Sequence, residues 1–147
     1  MLIIACGNRQ RSDDGAGLLV ADCLRELGIE ADLRSGEGAD LIEAWKDAED
    51  VIIIDTVVTG APVGTVQTWE GERLLLSGTT TSTHGFGALE AIQLARALNR
   101  LPMRLRVYGI EGQCFEPGGE VSPEVQCGVG EVVQRIIAEV RVPSANK

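Results

Sequence analysis

Four consecutive apolar, β-branched residues, Val51-Ile52-Ile53-Ile54, constrain this chain more than any other stretch. A strand with one wet face alternates polar and apolar residues, whereas a strand covered on both faces reads as an unbroken apolar run. The run therefore predicts a central strand with helices on either side. The surrounding sequence supplies them. Leu2–Cys6 reads as a second short buried strand. Leu18, Leu19, Ala21, Cys23, Leu24 and Leu27 follow helical spacing up to Gly28, a natural C′ stop. Residues 29–35 alternate as a strand, 41–46 suggest a short helix, and 64–69 form a further strand near an edge, with antiparallel pairing open to it. Leu89, Ile92, Leu94, Ala95 and Leu98 mark a helix ended by Asn99 and Pro102, and 105–110 give the last strand. Ser122 and Pro123 pair as N-cap and N1 of a helix running through Val125, Val129, Val132, Ile136 and Val140. Strands alternating with helices imply a mainly parallel α/β sheet between two helical layers. A single domain over 1–142 with a loose tail at 143–147 is expected.

The formal net charge of −9 argues against a nucleic-acid or anionic-membrane partner, while leaving a basic peptide or a metal ion open. No apolar run approaches the ~20 residues that span a bilayer. Leu2–Cys6 is too short for a secretory signal and no basic region precedes it. The four cysteines, Cys6, Cys23, Cys114 and Cys127, show no CxxC pairing, so a reducing cytoplasm is the expected location. All four read as structural, Cys23 on the apolar face of its helix.

In open parallel sheets, function gathers beyond the carboxyl ends of the strands. "GNRQRSDDGAG", residues 7–17, places Asp13 and Asp14 after the first strand. A Gly-rich turn there commonly cradles phosphate, which adjacent carboxylates would repel, so a cation or a proton suits it better. Asp55 directly ends the Val51–Ile54 strand, where a carboxylate is costly without a partner. His84, the only histidine, lies in "TTTSTHGFG" before a helix, and Glu111 follows the last strand at the same end. Two carboxylates and an imidazole suit a borderline divalent metal such as zinc or nickel, and equally an acid–base pair without metal. A phospho-receiver switch shares the acids. It also needs a lysine after the last strand, where "RVYGIEGQ" offers Glu111.

Taken together, "GNRQRSDDGAG", "VIIIDTVVTGAPVGTV", "TTSTHGFGALEAIQLARAL" and "VYGIEGQCFEPGGEVSPEV" resemble, in order and over nearly the whole chain, the maturation endopeptidases of nickel–iron hydrogenases. The resemblance implies a three-layer α/β/α sandwich with a roughly five-stranded twisted sheet. It implies that Asp14, Asp55 and His84 contact metal and carry catalysis, Asp14 rather than Asp13 matching the family's second acidic position. Asp13 is then left to favour the first helix N-terminus, a term of roughly 0.3–1 kcal/mol. The implied activity is removal of a C-terminal extension from the hydrogenase large-subunit precursor after nickel insertion. The nickel would come with the precursor, and no organic cofactor is expected. A non-enzymatic, metal-binding or chaperone-like protein that recognises the precursor without cutting it is the alternative. Arg9, Arg11 and Thr56 depart from the residues usual in the family. The segment "GQCFEPGGE", with Gly118 and Gly119, is expected to be free to move over the substrate.

Overall fold

The computed structural model describes residues 1–8, 12–34, 38–71, 73, 80–81, 88–113 and 115–141. The expected tail at 143–147 lies outside them. In chain order the elements are β1 (Leu2–Cys6), a 3-10 turn (Ser12–Gly15), α1 (Ala16–Glu26), β2 (Asp32–Arg34), α2 (Gly38–Trp45), β3 (Asp50–Val58), β4 (Val66–Glu70), β5 (Thr80–Thr81), α3 (Ala88–Ala97), β6 (Arg104–Glu111) and α4 (Pro123–Arg141). The sheet runs β2-β1-β3-β6-β4, with the two-residue β5 added to β3. β2, β1, β3 and β6 are parallel, and β4 is the antiparallel edge strand left open by the sequence.

Alternation along the strands sorts the core into two layers. Ile3, Ala5, Ile52, Ile54 and Ile110 pack with α1 and α4, while Ile4, Cys6, Val51, Ile53 and Val107 pack with α2 and α3. All four residues of the Val51-Ile52-Ile53-Ile54 run are fully buried, as a doubly covered strand requires. The three-layer sandwich is thus realised.

Both short helices stop where their sequences say. At Gly28 (φ +83°), the Gly28 N–H reaches Arg25 O at 3.0 Å and the Ile29 N–H reaches Leu24 O at 2.9 Å. This is the paired 5→2 and 6→1 bonding of a Schellman stop. Asn99 (φ +58°) repeats it on α3, with Asn99 N–H to Arg96 O and Arg100 N–H to Ala95 O. At the amino ends of the strands, buried Arg106 pairs with Asp50 at 2.8 Å and with Glu139, which also accepts the Tyr108 hydroxyl. That network fixes the last turns of α4 to the sheet.

Four expectations need correction. β3 does not end at Asp55 but continues to Val58, because β6 supplies partners through Val57. Glu111 is the last residue of β6 rather than a residue after it. β2 is only Asp32–Arg34. Cys23 is exposed, and so is Cys127: position 23 lies outside the stripe of α1 that buries Val20, Ala21 and Leu24.

Candidate functional site

The site begins as an interruption in the pairing along one edge of β3. β6 occupies the other edge from Asp50 to Val57. On the first edge, pairing with β1 ends at Ala5–Ile54, and pairing with β5 starts at Val57–Thr81. Asp55 and Thr56 are the two residues between. Alternation sends Asp55 toward the α2/α3 layer, like Ile53, and Thr56 toward the α1/α4 layer, like Ile54. Both are fully buried. The Thr56 N–H donates to Asp55 Oδ1 at 2.8 Å, fixing one carboxylate oxygen against the backbone.

Asp14 reaches the same place from the other side. The 3-10 turn carries it, 2% exposed, over the end of β1. Gly7 (φ +146°) permits this return, since a Cβ there would lie 2.1 Å from the Asp14 carbonyl oxygen. Next to it the Asn8 N–H donates to that carbonyl at 3.1 Å. Gly17 lets the first turn of α1 rest on the strand ends; its Cβ would meet Cys6 O at 2.6 Å and Ile54 O at 2.9 Å. The glycines that raised the phosphate question therefore serve close backbone approach.

Cys6, fully buried, feels the charge of both acids. It pairs with Arg34 of β2, whose guanidinium donates to Asp40 of α2 at 2.8 Å. Burial, then the charges of Asp55, Asp40 and Asp14, push the Cys6 thiol well above its ordinary range, with Arg34 pulling weakly the other way. A raised pKa in the fold stabilises the protein fully below the unfolded thiol value, about 8.5, and the contribution is lost as pH rises toward the folded value. The urea midpoint should therefore fall above about pH 8.5. Cys6→Ala should remove part of that fall, and an unchanged alkaline slope in the variant would contradict it.

Asp13, adjacent to Asp14, has a different role from the one expected. It is fully buried and accepts the Gln113 N–H at Oδ2 (2.9 Å) and both the Ser122 N–H and hydroxyl at Oδ1 (2.8 Å each). Its carbonyl accepts the Thr56 hydroxyl at 2.9 Å. It ties the turn to the segment after β6 and to the start of α4, rather than lending a mild charge to α1. The same ties correct the picture of a free "GQCFEPGGE" segment. The Ser12 hydroxyl donates to Glu116 O at 2.7 Å, and a Cβ on Gly119 would sit 2.2 Å from that hydroxyl. Glu111 likewise does not join the acids. Its carboxylate accepts the Thr59 hydroxyl at 2.6 Å and the Thr59 and Gly60 N–H groups, which folds the turn after β3.

His84 lies outside the described residues. On either side of it, Thr81 pairs with Val57, two positions beyond Asp55, and α3 begins at Ala88. Among the described residues no three of His, Cys, Asp and Glu are grouped to hold a metal ion. The two buried carboxylates supply hard oxygen donors only, and a nitrogen donor would have to come from elsewhere. Residues that the sequence did not assign to the site complete the surroundings: Thr56, noted there only as a departure from the family pattern, and the Arg34–Asp40 pair beside Cys6.

The model of the hydrogenase maturation protease family (HycI) matches residues 36–139. The chain is 24% identical to the hydrogenase 2 maturation protease of Escherichia coli over 149 residues, covering 96% of this chain and 90% of that protein. It is 25% identical to the hydrogenase expression/formation protein HupD of Thiocapsa roseopersicina over 134 residues, 86% of this chain, and spans 61% of HupD's length. Among solved structures, it is similar to the [NiFe] hydrogenase maturation protease HybD of Thermococcus kodakarensis, at 30% identity and TM-score 0.73 with 95% and 96% of the two chains covered. The fold also matches the maturating endopeptidase HybD of E. coli, at 20% identity and TM-score 0.78 with 95% and 91% covered.

Proposed function

Because the chain belongs to the hydrogenase maturation protease family, a family of peptidases, we propose that it removes the C-terminal extension of a nickel–iron hydrogenase large-subunit precursor once nickel has been inserted. The observation that carries this reading is that two buried carboxylates, Asp14 and Asp55, come from separate segments and both act on the buried Cys6 thiol. In this reading His84 joins them, and the three side chains contact the nickel that the precursor brings. A site of so few ligands is completed only by a loaded substrate, which makes cleavage conditional on correct loading.

The chain's own groups then do the following. The turn at Ser12–Gly15 presents Asp14, and the Thr56 N–H holds Asp55 in a fixed rotamer. Nickel brought by the precursor, if held by Asp14, Asp55 and His84, would supply positive charge to the site. A carboxylate accepts the proton of the attacking water, and the proton passes on to the leaving amine. No helix among the described residues is long and apolar enough to cross a membrane. A cytoplasmic location, where the precursor would be loaded, fits the proposal.

Incubation with nickel-loaded precursor tests it: mass spectrometry should show the large subunit shortened at its C-terminus. A precursor that is bound but keeps its full length would make this a recognition protein instead. His84→Ala should lower processing by at least about 100-fold with the thermal midpoint retained. Asp14→Ala should stop cleavage, while Asp14→Glu should keep part of it, the longer acid still reaching the cation. Full activity in a folded His84→Ala or Asp14→Ala variant would remove that residue from the site.

A further inference from the structure

One residue touches the supports of both acids. Thr56 lies immediately after Asp55, and its side chain crosses to the segment that carries Asp14. Its N–H donates to Asp55 Oδ1 at 2.8 Å. Its hydroxyl donates to the backbone carbonyl of Asp13, one residue before Asp14, at 2.9 Å. Its methyl packs where Gly112 has no side chain; a Cβ on Gly112 would lie 2.6 Å from Thr56 Cγ2. The residue is fully buried, so each of these contacts is shielded from water. The next bond along, Gly112 N–H to Val57 O at 3.1 Å, fastens the segment after β6 to the same point of β3.

The hydroxyl bond spans 43 residues of sequence and joins β3 to the turn. Around it, Asp13 is held by Gln113 and Ser122 but reaches β3 through Thr56. We propose that Thr56 is a positioning residue that sets the spacing of the Asp14 and Asp55 carboxylates, by clamping the Asp13 carbonyl to β3 while its own N–H orients Asp55. Thr56 touches no reacting atom in this scheme. The proposal rests on the reading of Asp14 and Asp55 as the working acids, and it adds the device that keeps them in register.

Thr56→Val separates the two bonds, because it removes the hydroxyl and leaves the N–H. Thr56→Ser keeps the hydroxyl and loses only the methyl. With nickel-loaded hydrogenase large-subunit precursor as substrate, and rates normalised to folded enzyme by circular dichroism, Thr56→Val should lose about 10- to 100-fold in kcat with little change in KM. Thr56→Ser should recover most of that loss. The pH dependence of kcat/KM should shift in Thr56→Val and return in Thr56→Ser, since the influence of one carboxylate on another depends on their separation. Asp14→Ala and Asp55→Asn run alongside. If both are inactive and Thr56→Val processes at the wild-type rate with an unshifted pH profile, the positioning role is overturned. A Thr56→Val loss that Thr56→Ser does not recover overturns it as well. If Asp14→Ala and Asp55→Asn are themselves active, the underlying site is wrong, and the proposal falls with it.

Discussion

Asp13→Ala should unfold this protein more readily than Asp14→Ala, lowering the thermal midpoint by roughly 6–16 °C. The two aspartates are neighbours on one short turn, yet their surroundings differ. Asp13 is fully buried and accepts three hydrogen bonds, from the Gln113 N–H and from the Ser122 N–H and hydroxyl. Alanine leaves those donors without that acceptor. A buried donor left unmatched costs about 1–3 kcal/mol, and the losses overlap because two of them come from Ser122. A total near 3–4 kcal/mol, at about 2–4 °C per kcal/mol for a chain of this size, gives the stated shift. Asp13→Asn should fall between, since its carbonyl still serves Ser122 while its NH2 group faces the Gln113 N–H, donor against donor. Thermal unfolding of the three variants measures the order directly. A loss under about 1 kcal/mol in Asp13→Ala would return the residue to the role of a helix-terminus charge.

That contrast shows where sequence reading stops. The sheet was legible because its signals are local: the β-branched run of β3, the Gly28 and Asn99 stops, and Ser122-Pro123 before α4 each state their conformation within a few residues. The burial of Asp55 was legible too, because it directly follows four apolar, β-branched residues. The functions of Asp13 and Glu111 were not. Asp13 finds its donors 100 and 109 residues away, and Glu111 finds Thr59 at a distance of 52. Nothing at positions 13 or 111 announces those partners, so Asp13 read as a helix-terminus charge and Glu111 as an acid on the face of the site. The end of β3 was misplaced for a related reason. Asp55-Thr56 breaks the apolar run, but backbone pairing with β6 does not depend on side-chain polarity and carries the strand on to Val58. The preference for Asp14 over Asp13 came from family resemblance. What the structure adds is that Asp13's carboxylate is engaged by Gln113 and Ser122.

Asp55→Asn should abolish precursor processing, by at least about 1,000-fold, while the fold holds or gains stability. Asparagine keeps the size of the side chain and retains an oxygen to accept the Thr56 N–H, so that bond to β3 is preserved. What disappears is the charge. In water that change would matter little, but Asp55 is fully buried, where a neutral amide is less costly than a carboxylate. Activity and stability should therefore move in opposite directions, which a merely structural residue would not do. A second readout needs no substrate. The Asp55 charge is the largest of the carboxylate effects raising the Cys6 thiol. Its removal should let Cys6 titrate lower than in the wild type, though burial keeps it above an ordinary thiol. Ultraviolet titration of thiolate, with Cys6→Ala as the blank, reads that shift. Lost processing with a lowered Cys6 pKa and an intact fold assigns the defect to the missing charge. Retained processing with a marked drop in stability would make Asp55 a structural acid, and the site would have to be sought elsewhere.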